Sequence, residues 1–221
     1  MTLSERQRDI LQKAVFEYID RAEPVSSGWL ERQYDMPFSP ATIRAEMLQL
    51  TEGGYLEQPH TSSGRVPTDK GYRFFVDELR PVELEDEQPF GFSALALAYY
   101  HRTLWKENWE RVLQEPEFSR AELLGNFTKF VSDIEQNSNR IRRVRQLEVY
   151  IGKENPFSSV GDFSMILSEC DFAQGPRYQS KHGTGRAAGF VAIVGPKRMP
   201  YQKNIGFIHS LIQTWKKKLK R

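Results

Sequence analysis

A chain of 221 residues, 39% hydrophobic and 27% charged, has the composition of an ordinary globular protein with room for one large or two modest cores. The start is charged and amphipathic, with nothing resembling a signal peptide, and no apolar run approaches the length of a membrane span, so a cytoplasmic protein without a membrane partner is expected. The net charge of +2 is unevenly spread: residues 1–80 hold 10 Lys+Arg against 13 Asp+Glu, 81–150 hold 9 against 12, and 151–221 hold 12 against 4, which argues against a non-specific, charge-driven nucleic-acid binder in the first part.

Ser4 followed by Gln7 makes a capping box, and Ile10, Leu11, Ala14, Val15 and Tyr18 repeat at helical spacing, so a first helix is predicted that ends before Pro24. Ser26 or Ser27 caps a second, shorter helix through Trp29, Leu30 and Tyr34, broken by Asp35-Met36-Pro37. A third begins at Ser39, a good N-cap, with Pro40 at the first helical position, where its missing N–H costs nothing. Ile43, Met47 and Leu50 form its apolar stripe, and Ala41, Thr42, Ala45 and Gln49 lie opposite. Gly53-Gly54 supplies a left-handed cap, and Tyr55 to Gln58 reads as a short strand with Leu56 inward. Pro59 to Gly64 is a turn-forming loop with an exposed cation, Arg65, just behind it, before Val66 starts a returning strand. Thr68 caps one further helix, TDKGYRFFVDEL, with Tyr72, Phe75, Val76 and Leu79 inward. Helix, turn, helix, strand, loop, strand is the order of a winged helix-turn-helix, in which the helix after the turn enters the major groove and the earlier helix crosses the backbone.

Pro81 to Pro89, with Glu83, Glu85, Asp86 and Glu87, reads as an acidic, proline-bounded linker, which places a domain boundary there. Phe92 to Leu113 is rich in Leu, Tyr and Trp without Gly or Pro and reads as a helix with apolar residues on more than one side, stopped by Pro116. Ser119 with Glu122 opens a second capping box. Leu123, Phe127, Phe130, Ile134, Ile141 and Val144 are spaced by fours and threes, with Asn137 in the remaining slot. That seam is either a helix packing within the chain or a dimer contact in which Asn137 fixes register. Strands are predicted over Leu147–Ile151, within Phe163–Phe172 and over Ala187–Val194, and a terminal helix over Gln202–Lys218 with Ile205, Ile208, Leu211, Ile212 and Trp215 on one face. Residues 174–185 have loop composition.

Several chemistries find no support. Four histidines, His60, His101, His182 and His209, sit on separate elements without ligand spacing, so no metal site is expected. Gly152-Lys153 lacks the upstream glycine and the following Ser/Thr of a phosphate loop. Cys170, the single cysteine, excludes an internal disulfide framework; flanked by Glu169 and Asp171 it is a poor nucleophile and reads as a small buried hydrophobe. No catalytic residue and no cofactor is expected. The terminal KKKLKR is either a binder of nucleic acid or acidic membrane, or a helix end that complements the helix dipole.

The run QPHTSSGRVPTDKGYRFFVDEL after SPATIR, with LSERQRDIL and EPVSS upstream, resembles the DNA-binding domain of the HrcA heat-inducible transcription repressors; VYIGKEN, DFSMI and GPKRMPY are similar to that family's carboxy-terminal domain. The two blocks run from about Leu3 to Leu79 and from Leu147 to Leu219. Between them the chain is shorter than the family pattern, which includes a sensor-like (GAF-like) domain interrupted by an inserted dimerisation domain. The resemblance implies an α+β architecture: a winged helix-turn-helix domain over 1–80, an acidic linker over 81–91, and a helical segment with a small α/β (reduced GAF-like) regulatory or dimerisation domain over 92–221. It implies a homodimeric repressor of chaperone genes at an inverted-repeat, double-stranded operator, with a GroE-type chaperonin helping to keep the repressor active. The DNA-contacting set it implies is Ser39, Ala41, Thr42, Arg44, Ala45 and Gln49 on the third helix and its cap, with His60, Thr61, Ser63 and Arg65 on the loop. Thr42 and Gln49 suit base edges, Ala41 and Ala45 a thymine methyl, and Arg44, about 100° around the wheel from Ile43, a phosphate. Arg65 suits a narrow minor groove, its plainer alternative being a solvated strand-end arginine. Where many family members have a polar residue this chain has Ala45. The cations Arg44, Arg65, Lys70 and Arg73 gather near this surface. An alternative class is a small-molecule sensor or protein-interaction module whose winged helix is not used for operator binding; the acidic first domain favours it.

Overall fold

The computed structural model describes residues 3–61, 63–79, 94–100, 103–138, 147–157, 161–171 and 188–218, without the side chains of 99, 100, 103–105, 170, 171, 188 and 214–218. The chain is a mixed α+β protein that divides into two compact units, Met1–Arg80 and Pro81–Arg221. The expected linker at 81–91, the loop at 174–185, Ile141, Val144, His101, His182 and the last three residues lie outside the described residues, as do the side chains of Cys170 and Trp215.

In the first unit local capping chemistry sets the element boundaries. Helix α1 (Glu5–Arg21) starts at Ser4, whose side chain accepts from the Gln7 N–H while the Gln7 side chain accepts from the Ser4 N–H. Helix α2 (Ser27–Tyr34) is capped by Ser26, and helix α3 (Pro40–Glu52) by Ser39 with Pro40 in its first turn. Asp35 takes a left-handed conformation at the end of α2, and Gly54, at φ 74°, does so after α3. Strands β1 (Leu56–Glu57) and β2 (Val66–Pro67) pair antiparallel, and helix α4 (Asp69–Asp77) follows from its Thr68 cap. Ile10, Leu11, Val15, Leu30, Ile43, Met47, Leu50, Leu56, Tyr72 and Phe75 are buried in this unit. At roughly 1.5–3 kcal/mol for each large apolar side chain taken out of water, Ile43, Met47 and Leu50 fix which face of α3 turns inward.

A buried carboxylate joins α1 to α2. Glu17 accepts from Trp29 Nε1 at 2.7 Å and from the Tyr34 hydroxyl at 2.8 Å. Burial, and then the Glu17 hydrogen bond, raise the Tyr34 pKa above its ordinary value.

The second unit is a five-stranded antiparallel sheet in the order β4-β3-β7-β6-β5, built from β3 (Leu95–Tyr100), β4 (Thr103–Glu107), β5 (Glu148–Ile151), β6 (Phe163–Asp171) and β7 (Ala188–Pro196). The expected helix over Phe92–Leu113 is therefore corrected: most of it is the β3–β4 hairpin, and only Trp109–Val112 is helical (α5). At the start of β3, Leu95 and Leu97 alternate with Ala96 and with Ala94 just before the strand, and all four are buried. A strand covered on both faces is apolar throughout, so periodicity alone does not separate it from a buried helix. The expected capping box at Ser119 and Glu122 is also replaced. Pro116–Ser119 is a 3-10 turn in which the Ser119 hydroxyl donates to the Pro116 carbonyl, and helix α6 (Ala121–Asn137) starts at Arg120 without a side-chain cap.

The stripe on α6 packs within this unit. Phe127, Phe130, Val131 and Ile134 share a core with Leu95, Leu97, Phe163, Met165, Leu167, Phe190 and Val194, and the Phe130 and Phe163 rings stack at 5.6 Å. Asn137 donates to the Asp133 carbonyl one turn back, at 2.8 Å. Against β6, helix α7 (Tyr201–Lys218) places Tyr201, whose hydroxyl is 2.7 Å from Ser164 Oγ. Arg198, 5% exposed, reaches from the β7–α7 turn to Glu117 through Nε at 2.6 Å and Nη2 at 3.0 Å, and to Glu115. Burial works against this charge, but the Glu117 hydrogen bonds and both carboxylates more than offset it, leaving the guanidinium pKa raised.

Candidate nucleic-acid interface

With Ile43, Met47 and Leu50 inward, the opposite side of α3 is presented to solvent. Ala41, Arg44, Ala45, Leu48, Gln49 and Glu52 are exposed, and Thr42 is half-buried. Ser39, also exposed, accepts the Thr42 N–H at 3.2 Å and lies 3.0 Å from the Thr42 hydroxyl, so both hydroxyls serve the cap. Gln49 Oε1 accepts from Gln7 Nε2 at 2.7 Å, which ties one end of its amide to α1. Glu46 is held by Arg6 at 3.3 Å. Thus Thr42 and Gln49 are on the expected face with part of their hydrogen-bonding capacity already used.

The loop that joins β1 to β2 is ordered by its own polar groups. Gln58 Nε2 donates to the carbonyls of Thr61 at 2.9 Å and Ser63 at 3.0 Å. The His60 N–H donates to Ser63 Oγ at 3.1 Å, and the Ser63 hydroxyl donates to the His60 carbonyl at 2.7 Å. His60 and Thr61 are exposed at the tip, whereas Ser63 is half-buried.

Arg65 differs from the exposed cation expected. Its backbone forms an antiparallel bridge with Val25, N–H to carbonyl at 2.8 and 2.9 Å, and its Nε donates to Thr51 Oγ1 at 2.9 Å. Pairing with a residue 40 positions earlier carries no local sequence signal. Gly64 permits it: a Cβ there would lie 2.4 Å from the Val25 carbonyl oxygen. Lys70 is similarly engaged, donating to the Gly53 carbonyl at 2.8 Å and lying 4.1 Å from the centre of the Tyr55 ring, so it completes the carboxyl end of α3. Arg73 lies 3.5 Å from Asp77. Of the four cations expected here, Arg44 is the one that stands exposed on the outer face of α3.

The sequence reading missed Leu48 and Gln58. Leu48 lies about 140° from Ile43 on the helical wheel, so helical geometry alone places it on the outer face. Gln58 gave no signal, because its role depends on two carbonyls of the folded loop.

Among the described residues no cluster of His, Cys, Asp or Glu could hold a metal ion, and no helix is long and apolar enough to cross a membrane. The family model described as "HrcA protein C terminal domain" matches residues 93–205, just over half of the chain. The heat-inducible transcription repressor HrcA of Natranaerobius thermophilus is 57% identical over 79 residues, covering 36% of this chain and 23% of that protein. Its namesake in Shouchella clausii is 38% identical over 168 residues, covering 76% of this chain and 45% of that protein. The chain thus spans less than half the length of these curated relatives. A crystal structure described as that of a hypothetical protein, 18% identical, covers 98% of both chains with a TM-score of 0.75, which shows a shared fold. With a family match over most of its second unit and relatives of one name along its length, the chain belongs to the HrcA family.

Proposed function

We propose that this chain is a cytoplasmic, sequence-specific DNA-binding repressor of heat-shock genes, acting as a homodimer at an inverted-repeat operator and not as an enzyme. In this reading residues 1–80 are a winged helix-turn-helix, with α3 as recognition helix and residues 58–65 as the wing, 81–91 are a linker, and 92–221 are a reduced GAF-like domain that regulates or pairs the reading heads. The observation that carries it is the outer face of α3, fixed from behind by Ile43, Met47 and Leu50 and open in front at Ala41, Arg44, Ala45 and Leu48. The names of the relatives support it.

Roles follow from the geometry. Arg44 meets a phosphate; Ala41 and Ala45 let the helix backbone approach the base edges; Gln49 reads a base with the end of its amide that Gln7 leaves available. Ser39 positions the helix through its cap and Ser63 holds the wing turn through its bonds with His60, while the exposed His60 and Thr61 at the tip meet phosphate oxygens of the DNA. Arg65 acts mainly by holding the wing to Val25 and α3. With so few exposed cations and an acidic first unit, binding depends on fit to a sequence, and its salt dependence is shallow. The part of the seam on α6, Leu123 to Ile134, is buried within its own unit, so in this proposal the dimer contact does not run through those residues. A GroE-type chaperonin, as the partner that restores the active fold, belongs to the same proposal on resemblance alone. The acidic balance of residues 1–80 favours a second reading, a sensor or protein-interaction module whose winged helix does not bind an operator.

The test is fluorescence anisotropy of the full chain with duplexes from the chaperone-gene promoters of its own genome and with shuffled duplexes of equal composition. A preference of about a thousandfold or more supports operator recognition. Equal affinity for both sets rejects it.

A further inference from the structure

Resting on the operator-binding reading, we infer that Leu48 is a specificity-determining residue, which with Ala45 and Ala41 forms an apolar ridge that reads thymine 5-methyl groups in the major groove. Leu48 is 49% exposed although it sits on a helix whose other large apolar residues, Ile43, Met47 and Leu50, are no more than 3% exposed. A lone exposed leucine is unremarkable by itself. The position gives this one its meaning, because Ala41, Ala45 and Leu48 follow one another at i, i+4 and i+7 along the exposed side of α3.

Two observations on the same face point to methyl recognition. The polar readers are partly occupied: the Thr42 hydroxyl lies 3.0 Å from Ser39 Oγ within the cap, and Gln49 Oε1 is taken by Gln7. What remains least encumbered along the ridge is apolar. The feature that separates an A·T pair from a G·C pair by apolar contact in the major groove is the thymine methyl. Dimensions agree as well. From Ala41 to Leu48 the helix rises roughly 10 Å at 1.5 Å per residue. That matches about three base-pair steps of 3.4 Å. Ala41 and Ala45 permit close approach at one end of this span, and Leu48 reaches the methyl groups at the other.

The experiment takes a duplex enriched by the full chain from a randomised pool and replaces its thymines one at a time by uracil, which removes the 5-methyl group and leaves pairing unchanged. The expected result is that one or two neighbouring replacements each weaken binding by roughly fourfold, the effect of one methyl-sized apolar group returned to water. Leu48→Ala, with an unchanged circular dichroism spectrum, is expected to bind the thymine duplex more weakly and to be indifferent to uracil at those positions. A wild-type chain indifferent to uracil everywhere, or a Leu48→Ala variant with the same uracil penalty, overturns the inference while leaving operator binding intact. A pool from which nothing is enriched overturns the operator reading, and this inference with it.

Discussion

Replacing Gly64 by alanine tests the part of the first unit that positions the loop beside α3. The added Cβ would lie 2.4 Å from the Val25 oxygen, 2.5 Å from the Val25 carbonyl carbon and 2.8 Å from the Pro24 carbonyl carbon. All three are backbone atoms, so no side chain can swing aside and the two segments must separate. Separation breaks the bridge between Val25 and Arg65, with its hydrogen bonds of 2.8 and 2.9 Å. Two backbone hydrogen bonds at a net ~0.5–1.5 kcal/mol each set a loss of about 1–3 kcal/mol. Val25 is fully buried, so groups left unpaired beside it add to that loss. Urea unfolding of the full chain measures the energy, and amide exchange at Val25 and Arg65 measures the bridge. Glycine-to-alanine replacement at an unstrained site stabilises by about 0.4–1 kcal/mol through the unfolded chain. The two accounts therefore differ in sign: an equally or more stable Gly64→Ala protein with both amides still protected refutes the close-approach argument.

Arg198→Met should destabilise the second unit by about 1–3 kcal/mol in urea unfolding, because the half-buried Glu115 and Glu117 lose their partner; adding Glu115→Gln and Glu117→Gln should recover most of the loss. Glu17→Leu removes the acceptor of the Trp29 and Tyr34 hydrogen bonds and should cost the first unit about 3 kcal/mol or more at neutral pH, read as a lower melting temperature for that unit. Burial, and then the hydrogen bond to Glu148, push the Tyr150 pKa from 10.0 to about 12, so the folded protein holds this proton more tightly than the unfolded chain. Its contribution is complete below pH 10 and is lost as pH rises toward about 12; Tyr150→Phe should remove that component of the alkaline decline in urea titrations. Arg65→Ala, deprived of the Thr51 hydrogen bond, should lose about 0.5–1.5 kcal/mol of stability as well as operator affinity, and a purely solvent-exposed arginine would show no stability change.

What could be read from the sequence is what depends on neighbours a few residues apart. The caps at Ser4, Ser26, Ser39 and Thr68 and the inward stripe of α3 were legible because a cap is decided within three residues and a stripe within two turns. The outer face of α3 followed from the same wheel, Leu48 being an omission and not a hidden feature. What resisted depends on distant partners. Residues 92–113 read as a helix because Leu95, Ala96 and Leu97 at the start of β3 are all buried, which erases the period-two pattern there. Arg65 read as exposed because its partners, Val25 and Thr51, lie 40 and 14 residues away. The engagement of Gln49 by Gln7 and of the Gly53 carbonyl by Lys70 likewise exists only once helices from separate parts of the chain have packed. The seam on α6 was visible as a stripe, but its partner, the chain's own sheet, was not.

The account rests on the outer face of α3, and a parallel anisotropy titration of a chaperone-promoter duplex with the full chain and with Ala45→Glu tests it most directly. Ala45 is exposed, so the variant keeps its fold while setting a carboxylate against the negatively charged groove. Like charges forced together cost several kcal/mol, so affinity should fall by roughly a hundredfold or more. Unchanged affinity in a folded Ala45→Glu protein would contradict the claim that this face reads the operator.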